Sequence, residues 1–406
     1  MNNAKIIEAG FNKLKEYCEK QSFKGYDPYD GLNSKLFNSI PIIANNRLAR
    51  LAWIQFFKRS PINLRSLSGV SKSYNAKALG LFLSGYCALY KNNPKKEYLE
   101  KINLFIKQIN DLRTSEWKEA CWGYNFDWQA RFFFQPRHTP NVVVSTFVAN
   151  GLLDAYEILN EEQLLLTARS TCNFILNDLN RTYNDKGDFC FSYTPKDKVV
   201  VYNASLLGSR LLARVYSYTQ EQSLISQAKK SVSFACSAQK EDGSWGYGNL
   251  HFNQWVDNFH TGYNLECISD YMKFSGDYTY QQNVNKGFNF YINTFFTDKG
   301  IAKYYNNSVF PIDVHAPAQL VVTLIHLNKV KEHKSVLDKV LLWTIQNMQD
   351  RDGFFYYQKN KYFLSKIPYM RWSQAWMFYA LSHYLSNTTH KDYNKDLISL
   401  NQISPT

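Results

Sequence analysis

Five titratable side chains stand at the starts of two apolar helical patterns: Asp257, His260 and Glu266 in "WVDNFHTGYNLE", and Asp313 and His315 in "FPIDVHAPAQ". Two carboxylates facing each other from adjacent helix starts suit acid and base work on a glycosidic bond, with their separation setting the stereochemical course. Two histidines in the same place suit proton abstraction and donation. The expectation is that Asp257 and Asp313 act as the acid and base, that His260 and His315 shuttle protons or orient, and that Glu266 supports them. Each has a structural alternative. Asp257 and Asp313 serve equally as helix N-caps, and Glu266 as a buried acid paired with an arginine such as Arg371.

Aromatic and basic residues surround these positions. Trp245, Trp255 and Trp372 are expected to form a platform for the apolar face of a sugar ring, joined by Trp128, Tyr247, Tyr263 and Tyr304; packing between loops competes for the same rings. Arg371 is expected to meet an anionic group on the ligand, as are Arg131, Arg137 and Lys303. His138 precedes the second apolar helix much as His260 and His315 mark the fourth and fifth, so it joins the candidate ligand-binding set. No HExxH and no close Cys/His spacing accompanies the histidines, so neither a metal nor another cofactor is expected. Phosphate-loop, dinucleotide and GxSxG motifs are absent, which removes nucleotide hydrolysis, dinucleotide redox chemistry and nucleophile-elbow hydrolysis.

The elements that must position these groups are helices, because apolar residues recur at i, i+3, i+4, i+7 almost throughout. Six apolar helices open near Asn75, Asn141, Asn203, Thr261, His315 and Trp372, at steps of 66, 62, 58, 54 and 57 residues. A near-constant period marks a repeated supersecondary unit. Charged-faced helices lie between them at about 95–113, 160–180, 221–238, 278–296 and 332–349, and "IIANNRLARLAWIQFFKR" (42–59) precedes the first. Helices apolar all round belong inside and helices with a polar face outside. Six outer/inner hairpins suit a closed ring that leaves no apolar end. The expected fold is all-α, a single (α/α)6 barrel over 1–406, with 1–40 as an N-terminal helical extension on its wall. Short turns lie at one end of such a barrel, and long aromatic loops gather at the other, where the site belongs.

The chain of 406 residues carries 47 Lys and Arg against 34 Asp and Glu, a net charge of +13, and 16% aromatics. That balance attracts something acidic. The lysines are scattered along helix faces with no basic run, so nucleic acid is not an expected partner. Seven widely spaced cysteines in apolar patterns read as buried thiols of a reducing compartment. The N-terminus lacks an apolar signal core and no segment is a transmembrane candidate, so the expected location is the cytoplasm, with peripheral membrane association left open.

"WGYNFDWQARFFFQPRHTPNVV", "VYNASLLGSRLLARVY", "QKEDGSWGYG", "WVDNFHTGYNLE" and "KYYNNSVFPIDVHAPAQ" together resemble a bacterial family found among cell-surface polysaccharide biosynthesis proteins. The resemblance runs from about Trp122 to Trp376. It implies an α/α toroid and a role in glycan assembly or modification, without a settled reaction. "QKEDGSW" also resembles the Q-x3-G-x-W element of terpene cyclases, and "QDRDGFF" is a near match; in that family these elements tie helix ends to loops. The DxDD and DDxxD motifs of cyclase chemistry are missing. The leading expectation is therefore acid/base chemistry, of hydrolase, lyase or epimerase type, on an anionic or lipid-linked carbohydrate. A non-catalytic glycan-binding scaffold is the second reading and an isoprenoid-handling toroid the third.

Overall fold

The computed structural model describes residues 3–130 and 134–387; Arg131, one of the anion-binding candidates, lies outside the described residues. Helix α1 (Asn3–Lys20) is followed by a rim segment holding three helices, α2 (Lys35–Asn38), α3 (Pro41–Ala44) and α4 (Arg47–Arg59). Five inner/outer pairs follow: α5 (Ala76–Asn92) with α6 (Lys96–Asp111), α7 (Val142–Leu159) with α8 (Glu162–Asn177), α9 (Tyr202–Thr219) with α10 (Gln222–Ser237), α11 (Asn258–Ser275) with α12 (Gln281–Phe295), and α13 (His315–His326) with α14 (Lys334–Met348). A π turn, Met370–Ala375, opens the last inner helix and runs into α15, which spans 376–387.

The inner/outer division follows from burial. Every residue of α5 from Ala76 to Leu89 is buried, whereas α6 buries only Ile102, Phe105 and Ile109, a single stripe. Helix α7 is long and apolar enough to cross a membrane, but 72% of that span is buried inside the ring. The outer helices fall within a few residues of the expected segments, and the protein is an α/α toroid.

The ring closes through α1. Ile7, Gly10, Phe11, Leu14 and Cys18 are buried along one face of that helix. Phe11 meets Phe378 of α15 with ring centroids 5.2 Å apart, and Phe23, just past the helix, meets Phe105 of α6 at 4.8 Å. Helix α1 therefore occupies the sixth outer position between α14 and α6. This corrects the expectation that 42–59 is the first outer helix and that α1 is an added piece of wall. Helix α4 instead lies at the mouth, where Ile54 packs with Leu32 and Phe37 in a small satellite core.

The two Q-x3-G elements show why the ring closes there. Gln239 Nε2 donates to Gly243 O (2.9 Å) and to Asn283 O (3.0 Å) in the next outer helix. Gln349 Nε2 makes the same pair of bonds, to Gly353 O and Gly10 O, both at 2.8 Å, so α1 stands to α14 as α12 stands to α10. Gly243 (φ +90) and Gly353 (φ +96) press against the carbonyls of Lys286 and Lys13, where a Cβ would sit 2.4 and 2.2 Å away. Only glycine fits both the left-handed backbone and the approach.

Inner helices leave the mouth from polar caps and turn outward through left-handed residues, Asn160, Gln220 and Gly276, at the far end. At the mouth, Asn75 caps α5 and Asn141 caps α7. The crossings carry short antiparallel strands: β1 (Trp128–Gln129) with β2 (Phe134–Gln135), β3 (Arg181–Tyr183) with β4 (Phe189–Phe191), and a three-stranded sheet of β5 (Ile312–Asp313), β6 (Gln358–Lys359) and β7 (Leu364–Ser365). All seven cysteines are buried and unpaired.

Candidate active site in the mouth of the toroid

A cleft of about 450 Å³ opens at the mouth, walled by the N-terminal turns of the inner helices, the crossings and one side of α4. Nine of the residues expected in the site line it: Trp128, Tyr247, Trp255, His260, Tyr263, Tyr304, His315, Arg371 and Trp372. Asp257, Asp313, Glu266, Trp245 and His138 do not, nor do Arg137, which lies on a separate groove, and Lys303, whose Nζ donates to Asn306 O at 2.8 Å; these positions correct the expected roles.

Asp257 is buried beneath His260. Its Oδ1 accepts the His260 backbone N–H at 2.9 Å, capping α11, and its Oδ2 accepts Trp255 Nε1 at 3.1 Å and lies 2.7 Å from His260 Nδ1. Both structural and functional readings thus meet in one side chain: the carboxylate is a cap, and it also orients an imidazole. With Nδ1 held by Asp257, Nε2 is the ring nitrogen left for the cleft, and the side chain is 21% exposed there.

Asp313, fully buried in β5, is spent in the same way. Oδ1 accepts the His315 backbone N–H (2.9 Å) and Trp372 Nε1 (2.9 Å), and Oδ2 accepts Gln358 Nε2 across the sheet at 2.6 Å. Burial pushes its acid up to about 6 against those three hydrogen bonds. It positions Trp372 and does not touch the cleft.

Glu266 lies two turns down α11, buried below the cleft. Burial raises its acid against Arg210, whose Nη1 is 3.7 Å away, and against His326. The expected partner Arg371 instead forms a buried bidentate pair with Asp27 of the N-terminal segment, including Nη2 to Oδ1 at 2.8 Å. Glu266 belongs to a second network, with Arg210, Asp270 and His326, around a cavity of about 290 Å³ toward the far end.

Trp245 is a structural residue. Buried against Gly287 of α12, its indole N–H donates to Ala235 O at 2.9 Å, and it is no part of the platform. His138 sits at φ +62 on a separate groove with Lys24, Lys35, Lys72 and Arg137.

The cleft wall itself is aromatic and cationic. Tyr247 and Trp255 stack at 4.7 Å and 13°, and Trp255 is 41% exposed, which makes a flat double platform beside His260. Phe259 stacks on the His315 ring at 4.5 Å, with Trp372 edge-on at 5.2 Å and Trp376 at 4.3 Å. Tyr263 joins the two histidines: its hydroxyl is 2.9 Å from His315 Nε2, and its ring is 5.9 Å from that of His260. Burial, with Lys77, His260 and Arg371 nearby, holds the His315 imidazole well below its ordinary range, so it is neutral. Its Nδ1 is buried without a hydrogen-bond partner.

Lys77, in the first turn of α5, is the functional candidate that sequence reasoning missed. Its Nζ lies over Phe147 (4.1 Å), Trp376 (5.2 Å) and Tyr263 (5.6 Å), with no carboxylate within 4.0 Å among the described residues. Burial first, then Arg371, hold its amine well below the usual lysine range. A lone lysine in the otherwise apolar "NAKALGLFLSG" was the available signal. Asn203, used only as a repeat marker, lines the cleft with a buried Oδ1 that has no partner. Among the described residues no Asp or Glu lines the cleft and no cluster of three or more His, Cys, Asp or Glu suits a metal ion. Lys58 and Arg371, whose charged forms are favoured, do not suit the dry, uncharged cavity of the isoprenoid reading.

Neither a protein-family model nor a curated protein matches the chain. Solved structures do. The cellobiose 2-epimerase from Bacillus thermoamylovorans B4167 superposes with a TM-score of 0.62 at 14% identity, covering 77% of this chain and 87% of that one. A GH76 α-mannanase from Bacteroides thetaiotaomicron gives 0.58 at 12%, covering 78% and 88%. The unsaturated glucuronyl hydrolase from Bacillus sp. GL1 gives 0.55 at 12%, covering 80% and 88%. At such identities the likeness is one of fold, and the fold is shared by carbohydrate-active epimerases, hydrolases and lyases.

Proposed function

We propose that the protein is a carbohydrate-active enzyme that moves a proton on an anionic glycan, by epimerisation or β-elimination, in the assembly or modification of a bacterial surface polysaccharide. The observation that carries this reading is the asymmetry of the wall. An Asp-backed histidine and a Tyr–His pair face the cleft, while the carboxylates that glycoside hydrolysis places on either side of the scissile bond do not.

In this reading a uronate ring rests on Trp255, with its carboxylate drawn to Lys77. His260 Nε2 takes the proton from the carbon next to the carboxyl group, and the C–H electron pair moves into that group as an enediolate. Lys77, unpaired and cheaply charged once an anion arrives, balances the growing negative charge. Tyr263, hydrogen-bonded to His315, then supplies a proton. Delivered to the opposite face of the same carbon it inverts the centre. Delivered to the leaving oxygen, as the β C–O bond breaks, it completes elimination.

The test is incubation with uronic-acid oligosaccharides in D2O. Deuterium entering the ring carbon, or an unsaturated product absorbing in the ultraviolet, is the expected result. Clean hydrolysis without exchange would overturn it. The scaffold reading draws on the complete internal bonding of Asp257 and Asp313; tight oligosaccharide binding with neither exchange nor turnover would establish it instead.

A further inference from the structure

Exposed large apolar side chains are concentrated in the rim segment. Ile42 is 88% exposed, Leu48 72%, Ile62 66% and Leu67 86%, and Phe56 is half exposed. In α4, Leu48, Ala52 and Phe56 follow i, i+4, i+8 and make one outward apolar stripe. The buried face of that helix, Ile54 and Phe57, is used up in packing, and a third side, Leu51, Gln55 and Lys58, walls the cleft. Helix α3 buries no residue.

The charge of this segment has one sign. Between residues 31 and 75 there are seven Lys or Arg and no Asp or Glu. Arg65 is buried with Asp30; Lys35, Arg47, Arg59 and Lys72 are exposed. Lys24, Lys35, Lys72 and Arg137 also line the neighbouring open groove.

We propose that the rim segment 35–72 is a membrane-docking face that seats the mouth of the toroid on an anionic bilayer. Apolar side chains on short helices and loop tips, ringed by cations, match an interface of acyl chains beneath negative headgroups. Self-pairing through this face would set two wholly cationic patches against each other. The cleft shares α4 with the docking face, so a lipid-carried glycan reaches His260 without leaving the surface; that last step alone rests on the glycan reading.

The test is flotation of the full chain with vesicles of phosphatidylcholine, and with vesicles containing about one-third phosphatidylglycerol. No sugar is needed, so the result is independent of the proposed reaction. The protein should float with the anionic vesicles only and be released by salt. Ile42→Ser/Leu48→Ser/Phe56→Ser and Lys35→Gln/Arg59→Gln/Lys72→Gln should each weaken binding on the order of tenfold or more. Tyr183→Ser/Tyr278→Ser, exposed aromatics elsewhere, should not. Failure to float with either vesicle overturns the proposal. So does concentration-dependent dimerisation abolished by the apolar triple variant without vesicle binding, which would assign the face to a second copy.

Discussion

His260 Nδ1 lies 2.7 Å from Asp257 Oδ2, and the backbone N–H of the same histidine donates to Asp257 Oδ1 at 2.9 Å. One carboxylate thus starts a helix and fixes the tautomer of that helix's own imidazole. The two roles separate on substitution.

Asn caps a helix as well as Asp does, so Asp257→Asn should leave unfolding within about 1 kcal/mol of wild type. An amide cannot hold the same tautomer, and turnover should fall on the order of 10³-fold or more. Thermal melts and kcat measured on the same preparations check this. A large loss of stability with turnover intact would leave the cap as its whole role.

Lys77→Met fills the same space without a buried amine to desolvate. Folding stability should hold or rise, by about 1–2 kcal/mol, while affinity for a uronate ligand falls about tenfold or more. Urea denaturation and calorimetric titration with the oligosaccharide separate the two effects. A strongly destabilised variant would place Lys77 among the structural residues.

His315 makes stability pH-dependent with a definite sign. Its imidazole is held well below the ordinary value of about 6.5, so below that pH the unfolded chain takes up a proton that the folded protein refuses. Stability present above about pH 6.5 is therefore lost as pH falls. His383, pushed by burial down to about 4, acts in the same direction. The melting temperature of His315→Gln should fall less than that of wild type between about pH 7.5 and 5.5. Parallel curves would show that His315 takes no part in this dependence.

Gly353→Ala should cost about 3 kcal/mol or more, because the backbone is left-handed and the new Cβ meets Lys13 O. Gly187→Ala, with φ +76 but open space around it, should cost only about 1 kcal/mol. The difference between the two melts measures the close approach that closes the ring.

The toroid was legible because the cap residues repeat: Asn75, Asn141 and Asp257 each satisfy backbone N–H groups of an inner helix, and that physical need produces the spacing read in the chain. The place of α1 was not legible, since its packing partners, Ile345 and Phe378, are more than 330 residues away and periodicity carries only local information. The histidines were found by their position at helix starts. Which way Asp257 and Asp313 faced was not, because both stand on extended backbone just before their helices, where the helical period does not say whether a carboxylate meets water or a neighbouring indole, and both meet indoles.

Closure by α1 also sets an order of events during synthesis. Gln349 bonds Gly10 across 339 residues, and Arg371 pairs with Asp27 across 344. Helix α1 therefore waits, without its neighbour α14, until the chain has emerged past Gln349. Loops of that length close late and slowly. A nascent chain stopped short of the last hairpin would expose the apolar wall of an open ring, making that intermediate the natural client of a chaperone.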